Sequence, residues 1–191
     1  MMALPAEKIF YTLDEYFSLT EQEGEVRFEY YYGTIVAMAG GLVRHSLVST
    51  NALGLLYNQL RKRKCTPYNS DTRLRVNDEM WVYPDVMVSC HDEDLSARLY
   101  IKHPSLIIEV LSDSTKKVDY TLKKQHYFQI PDLQYYIMID PTQMFVDVYE
   151  KKDTFWVNSV YTEANDKISL PLLALELLVE DLYERVKFEE E

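Results

Sequence analysis

Asp85 and Glu109 stand in settings where a carboxylate has to do something. Glu109 lies inside Leu106-Ile107-Ile108-Glu109-Val110-Leu111, a run that is apolar on both sides of the acid. Such a run reads as a strand covered on both faces. An ionised carboxylate there costs several kcal/mol unless it is paired with a cation or bound to a metal. Asp85 opens a second apolar strand, Val86 to Val88, directly after Tyr83-Pro84. A polar segment with Lys123 and Lys124 at its centre follows. Two acids and a nearby lysine are the minimum set for metal-assisted phosphodiester hydrolysis. Each residue also has a plainer reading. Asp85 could be an acid at a strand start, Glu109 half of a structural ion pair, and Lys123 an exposed helix lysine paired i,i+4 with Asp119.

These residues need elements to hold them. Thr12-Leu13-Asp14-Glu15 has the form of a capping box, opening a helix that should run to about Glu23 and stop at Gly24. Val26 to Tyr31 and Thr34 to Met38 read as a hairpin about Tyr32-Gly33. His45 to Arg63 carries apolar residues at helical intervals. Cys65 to Tyr68, Thr72 to Val76 and Met80 to Tyr83 look like short strands, and His91 to Asp94 like an acidic loop. Thr115 to Gln129 reads as one helix stopped by Pro131, with Asp119, Lys123 and Tyr127 along one face and Lys124 about 100° away. Strands follow at Gln134 to Asp140, Met144 to Glu150 and Thr154 to Tyr161. Leu170 to Arg185 reads as apolar and then helical, and Lys187 to Glu191 as a solvated tail. With no internal repeat or linker, the expectation is one α/β domain over residues 1–191, a central mixed β-sheet flanked by helices.

The order and spacing of several motifs resemble a known family. Pro84-Asp85, Glu109-Val-Leu-Ser112, Asp119-x3-Lys123-x3-Tyr127 and a strand ending Ile139-Asp140-Pro141 are similar to the Uma-type restriction endonucleases, part of the PD-(D/E)XK nuclease superfamily. Upstream, Phe28-Glu29-Tyr30-Tyr31-Tyr32-Gly33, and Met38-Ala39-Gly40 followed by His45, match too. The resemblance spans about residues 10–180, almost the whole of one domain. It implies a restriction-endonuclease-like fold and hydrolysis of DNA. Asp85 and Glu109 would bind Mg²⁺ (or Mn²⁺), with the Val110 carbonyl a natural further ligand. The superfamily pattern puts a lysine two residues after the acid, where this chain has Leu111. Lys123 matches the family motif and would supply that charge from the next element, as an ammonium stabilising the phosphate. Glu29 and His45 could line the site, hold water or help bind metal, or serve a structural role instead.

Composition sets further bounds. Net charge is −11, which argues against broad non-specific nucleic-acid binding but leaves room for a metal-bearing site. Arg61-Lys62-Arg63-Lys64, the one compact basic cluster, reads first as a helix C-terminus and second as a phosphate contact. All glycines fall at or before Gly54, so nothing later can be a glycine-rich phosphate cradle or a G-x-S-x-G elbow. Gly40-Gly41 before a helix reads as a turn, with anion binding second. No apolar run is long enough for a membrane span, and Met1 to Pro5 does not look like a secretory signal. Cys65 and Cys90 are too few for a disulfide framework, so a reducing cytoplasm is expected. Cys90-His91 with His103 lacks a fourth ligand at zinc-finger spacing. The 16 tyrosines read as core and sheet residues rather than base-stacking ones. A homodimer is expected from the many apolar and aromatic residues and from the symmetry of duplex DNA. The rival expectation is a catalytically inactive interaction or regulatory protein with the same fold. It is favoured by the acidic charge and the missing lysine at Leu111.

Overall fold

The computed structural model describes residues 10–22, 26–38, 40–113 and 115–188. The chain starts with α1 (Leu13–Gln22). Its capping box forms: the Thr12 amide donates to the Glu15 carboxylate at 2.8 Å, and the Glu15 amide to the Thr12 hydroxyl at 3.3 Å. The stop expected at Glu23-Gly24 lies outside the described residues. Strands β1 (Phe28–Tyr31) and β2 (Thr34–Ala37) form the hairpin. Its turn residues Tyr32 and Gly33 have φ of 49° and 90°, the left-handed turn that matches strand twist. A side chain at Gly33 would also run into the Phe10 ring, 2.2 Å from its Cβ position.

Helix α2 (Val43–Leu60) follows, then β3 (Thr66–Asn69), β4 (Leu74–Asn77), β5 (Met80–Val82) and β6 (Val86–Ser89). After the short α3 (Asp92–Leu95) come β7 (Pro104–Val110), the crossover segment, β8 (Tyr135–Ile139), β9 (Val146–Lys152) and β10 (Phe155–Tyr161). Six strands build the main sheet in the order β10-β9-β8-β7-β6-β3. Only β7 and β8 run parallel in it, so the chain between them must cross over the sheet. A second, antiparallel sheet has the order β2-β1-β5-β4. This is the mixed sheet flanked by helices that the sequence implied.

Strand alternation sorts the core. Val86, Val88, Ile108 and Val110 face α2, where Val48, Ala52, Leu56 and Leu60 cover them. Met87 and Ile107 point the other way, toward Tyr127, Ile130 and Leu133. Each fully buried Leu, Ile or Val contributes about 1.5–3 kcal/mol. Asp85 and Glu109 share the parity of Met87 and Ile107. Both acids therefore belong to the face that the crossover covers.

Five expectations are corrected, the last of them that of unpaired cysteines. The crossover is not one regular helix over 115–129. It runs as α4 (Lys116–Val118), a π turn over Asp119–Lys123, and α5 (Lys124–Tyr127). The Lys124 amide reaches the Asp119 carbonyl five residues back, which leaves one extra residue in the turn. Leu170 to Arg185 is not simply apolar and then helical. β11 (Lys167–Leu170) and β12 (Leu175–Leu178) pair as a hairpin around a 3₁₀ turn at Pro171–Leu173, before a single helical turn, α6 (Val179–Leu182). In that hairpin Ile168, Leu170, Leu175 and Leu177 alternate inward, a strand period rather than a helical one. Asp92–Leu95 is helical where a loop was expected, with His91 as its cap. Phe188 packs against Tyr183 rather than lying in a solvated tail, and residues 189–191 are outside the described set.

The cysteines do pair, contrary to the expectation: Cys65 and Cys90 form a disulfide. Thr66 faces Ser89 at the end of the β3–β6 ladder, so the next residue on each strand meets its opposite. The basic cluster starts at the C-cap of α2, Arg61, and continues beyond the helix. Arg63 donates to the Leu173 and Ala174 carbonyls, and Lys64 pairs with Asp92.

Candidate functional site

Register brings the two acids together. Val86 faces Ile108 in the antiparallel β6–β7 pair, so Asp85 falls opposite Glu109. The Asp85 amide points at Glu109 Oε2 at 3.4 Å, and the Val110 amide donates to Asp85 Oδ2 at 2.8 Å. Pro84 holds the entering backbone extended and cannot itself donate to the ladder.

The crossover supplies the cation. Lys123 is 4 % exposed, and its ammonium lies 3.1 Å from Glu109 Oε1. The same ammonium is 3.5 Å from Glu29 Oε1 and 3.4 Å from Asp119 Oδ1. Three buried carboxylates thus converge on one lysine. Lys124, one position on, sits instead 4.9 Å over the Tyr149 ring. The Tyr127 hydroxyl donates to Glu109 Oε1 at 2.8 Å, so that oxygen carries both a lysine and a tyrosine. Glu29, on β1, accepts from the Tyr83 amide at 3.0 Å and the Tyr31 hydroxyl at 2.6 Å. This ties β1 to the segment that joins β5 to β6.

His45 reaches the site from the first turn of α2. Its Nε2 lies 3.3 Å from Asp85 Oδ2. An opening beside it is lined by Arg44, His45, Ser112, Asp113, Lys116 and Asp140. The side chains of His45 and Asp85 keep 19 % and 14 % exposure, against 4 % for Glu109. The cluster is therefore closed at Lys123 and open at Asp85.

The electrostatics follow from burial. Desolvation pushes the Glu109 carboxyl up to about 8; Lys123 opposes this, while Asp119, Asp85 and Glu29 add to it. Asp119 is raised too, first by burial, although Lys123 opposes the shift. Burial alone would lower the Lys123 ammonium, but Glu109 and Glu29 override it and hold it charged. His45 is also drawn down by burial, and hydrogen bonding to Asp85 and to the Val110 backbone raises it on balance. Asp119 Oδ1 is buried and makes no hydrogen bond, although the Lys123 ammonium lies 3.4 Å away as an ion-pair partner. Counting Glu29, Asp85, Glu109 and Asp119 against Lys123, the site carries more carboxylates than cations.

A divalent cation fits that donor set. Glu109 Oε1 is engaged twice, whereas Oε2 meets only the long contact from the Asp85 amide. Asp85 Oδ2 takes the Val110 amide and His45. The oxygens with spare capacity are therefore Glu109 Oε2 and Asp85 Oδ1. Among the described residues, no third His or acid joins this pair at mutual metal-ligand spacing. Two carboxylates with water completing the shell is the usual Mg²⁺ arrangement.

Of the residues singled out in the sequence, Asp85, Glu109, Lys123, Glu29 and His45 all lie in this one cluster. Sequence reasoning placed Asp119 beside Lys123 only as an i,i+4 partner, and did not foresee its burial. It gave Tyr31 no role here. The D-x3-K-x3-Y motif held the signal for Asp119, since it names an acid where a solvated helix would accept any polar residue.

A family model described as "Uma2: Putative restriction endonuclease" matches residues 13–180. "Uncharacterized protein slr1290" of Synechocystis is 34 % identical over 177 residues, covering 92 % of each chain. "Uncharacterized protein sll1609" of the same organism is 32 % identical over 179 residues, covering 92 % of this chain and 100 % of that one. Among solved structures, the crystal structure of "a putative nuclease belonging to DUF820" from Anabaena variabilis superposes with a TM-score of 0.77. It is 22 % identical and covers 93 % of this chain and 99 % of its own, a likeness of fold.

Proposed function

This chain belongs to the Uma2 family, and on that premise we propose that it is a metal-dependent endonuclease hydrolysing phosphodiester bonds in DNA. The observation that carries the reading is the closure of Asp85 on Glu109, with the Lys123 ammonium 3.1 Å from Glu109 inside a cluster rich in carboxylates. Asp85 and Glu109 hold the Mg²⁺ or Mn²⁺. Bound there, the ion would supply an activated water and neutralise charge developing on the phosphate.

The protein's own residues do the positioning. Tyr127 and Lys123 fix one oxygen of Glu109 and leave the other to turn toward Asp85. Val110 and His45 fix Asp85 in the same way. Lys123 remains an ammonium, so it serves as a charge stabiliser and not as a base. Arg44 and Lys116 at the opening offer positive charge to a phosphate backbone, against Asp113 and Asp140 beside them. A symmetric homodimer would present two such sites to the two strands of a duplex, which sedimentation equilibrium at micromolar concentration tests.

The alternative is a non-catalytic interaction protein that retains the fold. One observation favours it: Lys123 is enclosed by three carboxylates, so its charge serves them first. Cleavage of supercoiled, linear and single-stranded DNA and of RNA, with Mg²⁺ or Mn²⁺ and with EDTA, separates the two. Metal-dependent cleavage that Glu109→Gln abolishes supports the nuclease. No cleavage of any substrate by folded protein supports the alternative.

A further inference from the structure

At the other end of β6 from Asp85, a second group of side chains converges. His91, Glu93 and His103 each offer one donor atom, and these atoms lie within 4.8 Å of one another. It is the one such group of three or more among the described residues. His103 Nε2 is 3.6 Å from Glu93 Oε2, close to the separation of two ligands sharing one ion at bond lengths of about 2.1 Å. The His91 ring stacks on that of His103, with centroids 4.0 Å apart and planes 24° off parallel.

The surroundings are built, not incidental. Asp132 Oδ2 meets His103 Nδ1 at 2.8 Å. A carboxylate there accepts a hydrogen bond from Nδ1–H, which fixes the tautomer and leaves the Nε2 lone pair for a metal, the usual carboxylate–histidine support of a metal ligand. Asp94, 3 % exposed, clamps the two carrying segments together. It accepts from the Lys102 amide at 2.9 Å, the His103 amide at 2.9 Å and the Ser89 hydroxyl at 2.7 Å. The Ser89 oxygen also lies 2.9 Å from the His103 carbonyl, which competes with Asp94 for its single proton, and accepts from the His91 amide at 3.2 Å. The Cys65–Cys90 disulfide anchors the residue before His91, and the Lys64–Asp92 pair anchors the residue after it. The backbone that carries the donors is thus tied from both sides, while Glu93 is 69 % exposed at its side chain and open to an arriving ion.

We propose that His91, Glu93 and His103 form a binding site for a first-row transition-metal dication of the Zn²⁺ class, with Asp132 orienting His103 and water completing the shell. Imidazole nitrogens select Zn²⁺, Co²⁺, Ni²⁺ or Cu²⁺ over Mg²⁺, which wants oxygen. The site is therefore distinct in chemistry from the Asp85–Glu109 pair. A finger would need a fourth protein ligand at fixed spacing; three protein ligands and an open position do not. His91 gives up its 3.3 Å bond from the Glu93 amide, or turns its ring, to bind.

The test uses the full chain carrying Asp85→Asn and Glu109→Gln, so that the first site cannot contribute. Zn²⁺ is titrated calorimetrically, and Co²⁺ by its visible absorption. One equivalent should bind, undisturbed by millimolar Mg²⁺, with the intense Co²⁺ bands of a four-coordinate site. His103→Gln and Glu93→Gln should each weaken binding at least tenfold, and Asp132→Asn by about 10–100-fold. Glu93 is exposed, so that variant stays folded, and far-ultraviolet circular dichroism checks the others. No saturable binding, or binding that all three variants leave unchanged, overturns the proposal.

Discussion

The two ends of β6 hold polar clusters built on opposite principles. At the Asp85 end, acids are buried and the cation is internal: Lys123 is 4 % exposed and serves three carboxylates. At the His91 end, the buried acid, Asp94, is saturated by backbone and hydroxyl donors, and the groups with chemistry left over face outward. The first arrangement stores electrostatic tension, because desolvation acts on charges that are only partly matched. The second relieves all of it and spends the hydrogen bonds on rigidity. Burial of charge does not by itself mark a site; what matters is whether the charge is fully answered.

Substitutions can break or sharpen that contrast. The largest effect is expected from Glu109→Gln. Metal-dependent cleavage should fall on the order of 10³-fold, measured as single-turnover cleavage, since in the proposed reaction both the ion and its water would depend on Glu109. Lys123→Ala comes next, with a loss of about 10²-fold in kcat. It should also destabilise the metal-free protein by about 3–5 kcal/mol in urea unfolding, because three carboxylates lose their shared partner. Added Mg²⁺ should restore part of that stability. Asp94→Ala, by comparison, should cost about 1–3 kcal/mol for each donor left unsatisfied, with no rescue by Mg²⁺.

The pH dependence has a definite sign. Glu109 is raised from 4.5 to about 8 in the folded protein, so the folded state holds a proton that the unfolded state has lost. Its contribution to stability is full below about 4.5 and is lost as pH rises through about 8. Thermal melts of metal-free protein should show a falling Tm across that window, and Glu109→Gln should flatten the slope. The smallest effect is expected from Lys124→Ala. The loss of a half-exposed cation over Tyr149 should cost about 0.5–1 kcal/mol and leave cleavage unchanged. Equal losses of cleavage from Lys123→Ala and Lys124→Ala would sink the distinction between the two lysines.

Much of the acid–lysine cluster was legible because its residues break local rules. Glu109 interrupts an apolar run, and nothing in a strand propensity explains it. The covering of β7 on both faces was legible in the same run, whereas its parallel pairing with β8 came only from the structure. The π turn was not legible, because Asp119-Tyr-Thr-Leu-Lys123 suits a regular helix equally well, and only tertiary contacts such as Tyr136 to the Asp119 carbonyl at 3.1 Å select the wider turn. The terminal hairpin was missed for a related reason. Leu170 to Leu178 is dense enough in leucine to match either period, and the choice is made by the sheet-and-α2 surface it covers. The histidine cluster was half visible. His91 and Glu93 lie together in one acidic segment, but only the β6–β7 connection and the approach to β8 bring His103 and Asp132 to them.

The π turn ties the direction of Lys123 to the length of the chain. A segment with one residue more than a regular helix needs can be rewound into a regular helix by a one-residue deletion. Removing Thr121 or Leu122 would do this, turning the remaining side chains by about 100°. The lysine would then swing away from Glu109 while the crossover still joined β7 to β8. In a lineage of such proteins, a single in-frame codon loss could separate those that keep the internal cation from those that keep only the scaffold. Alignments that slide a gap through this stretch would hide the event.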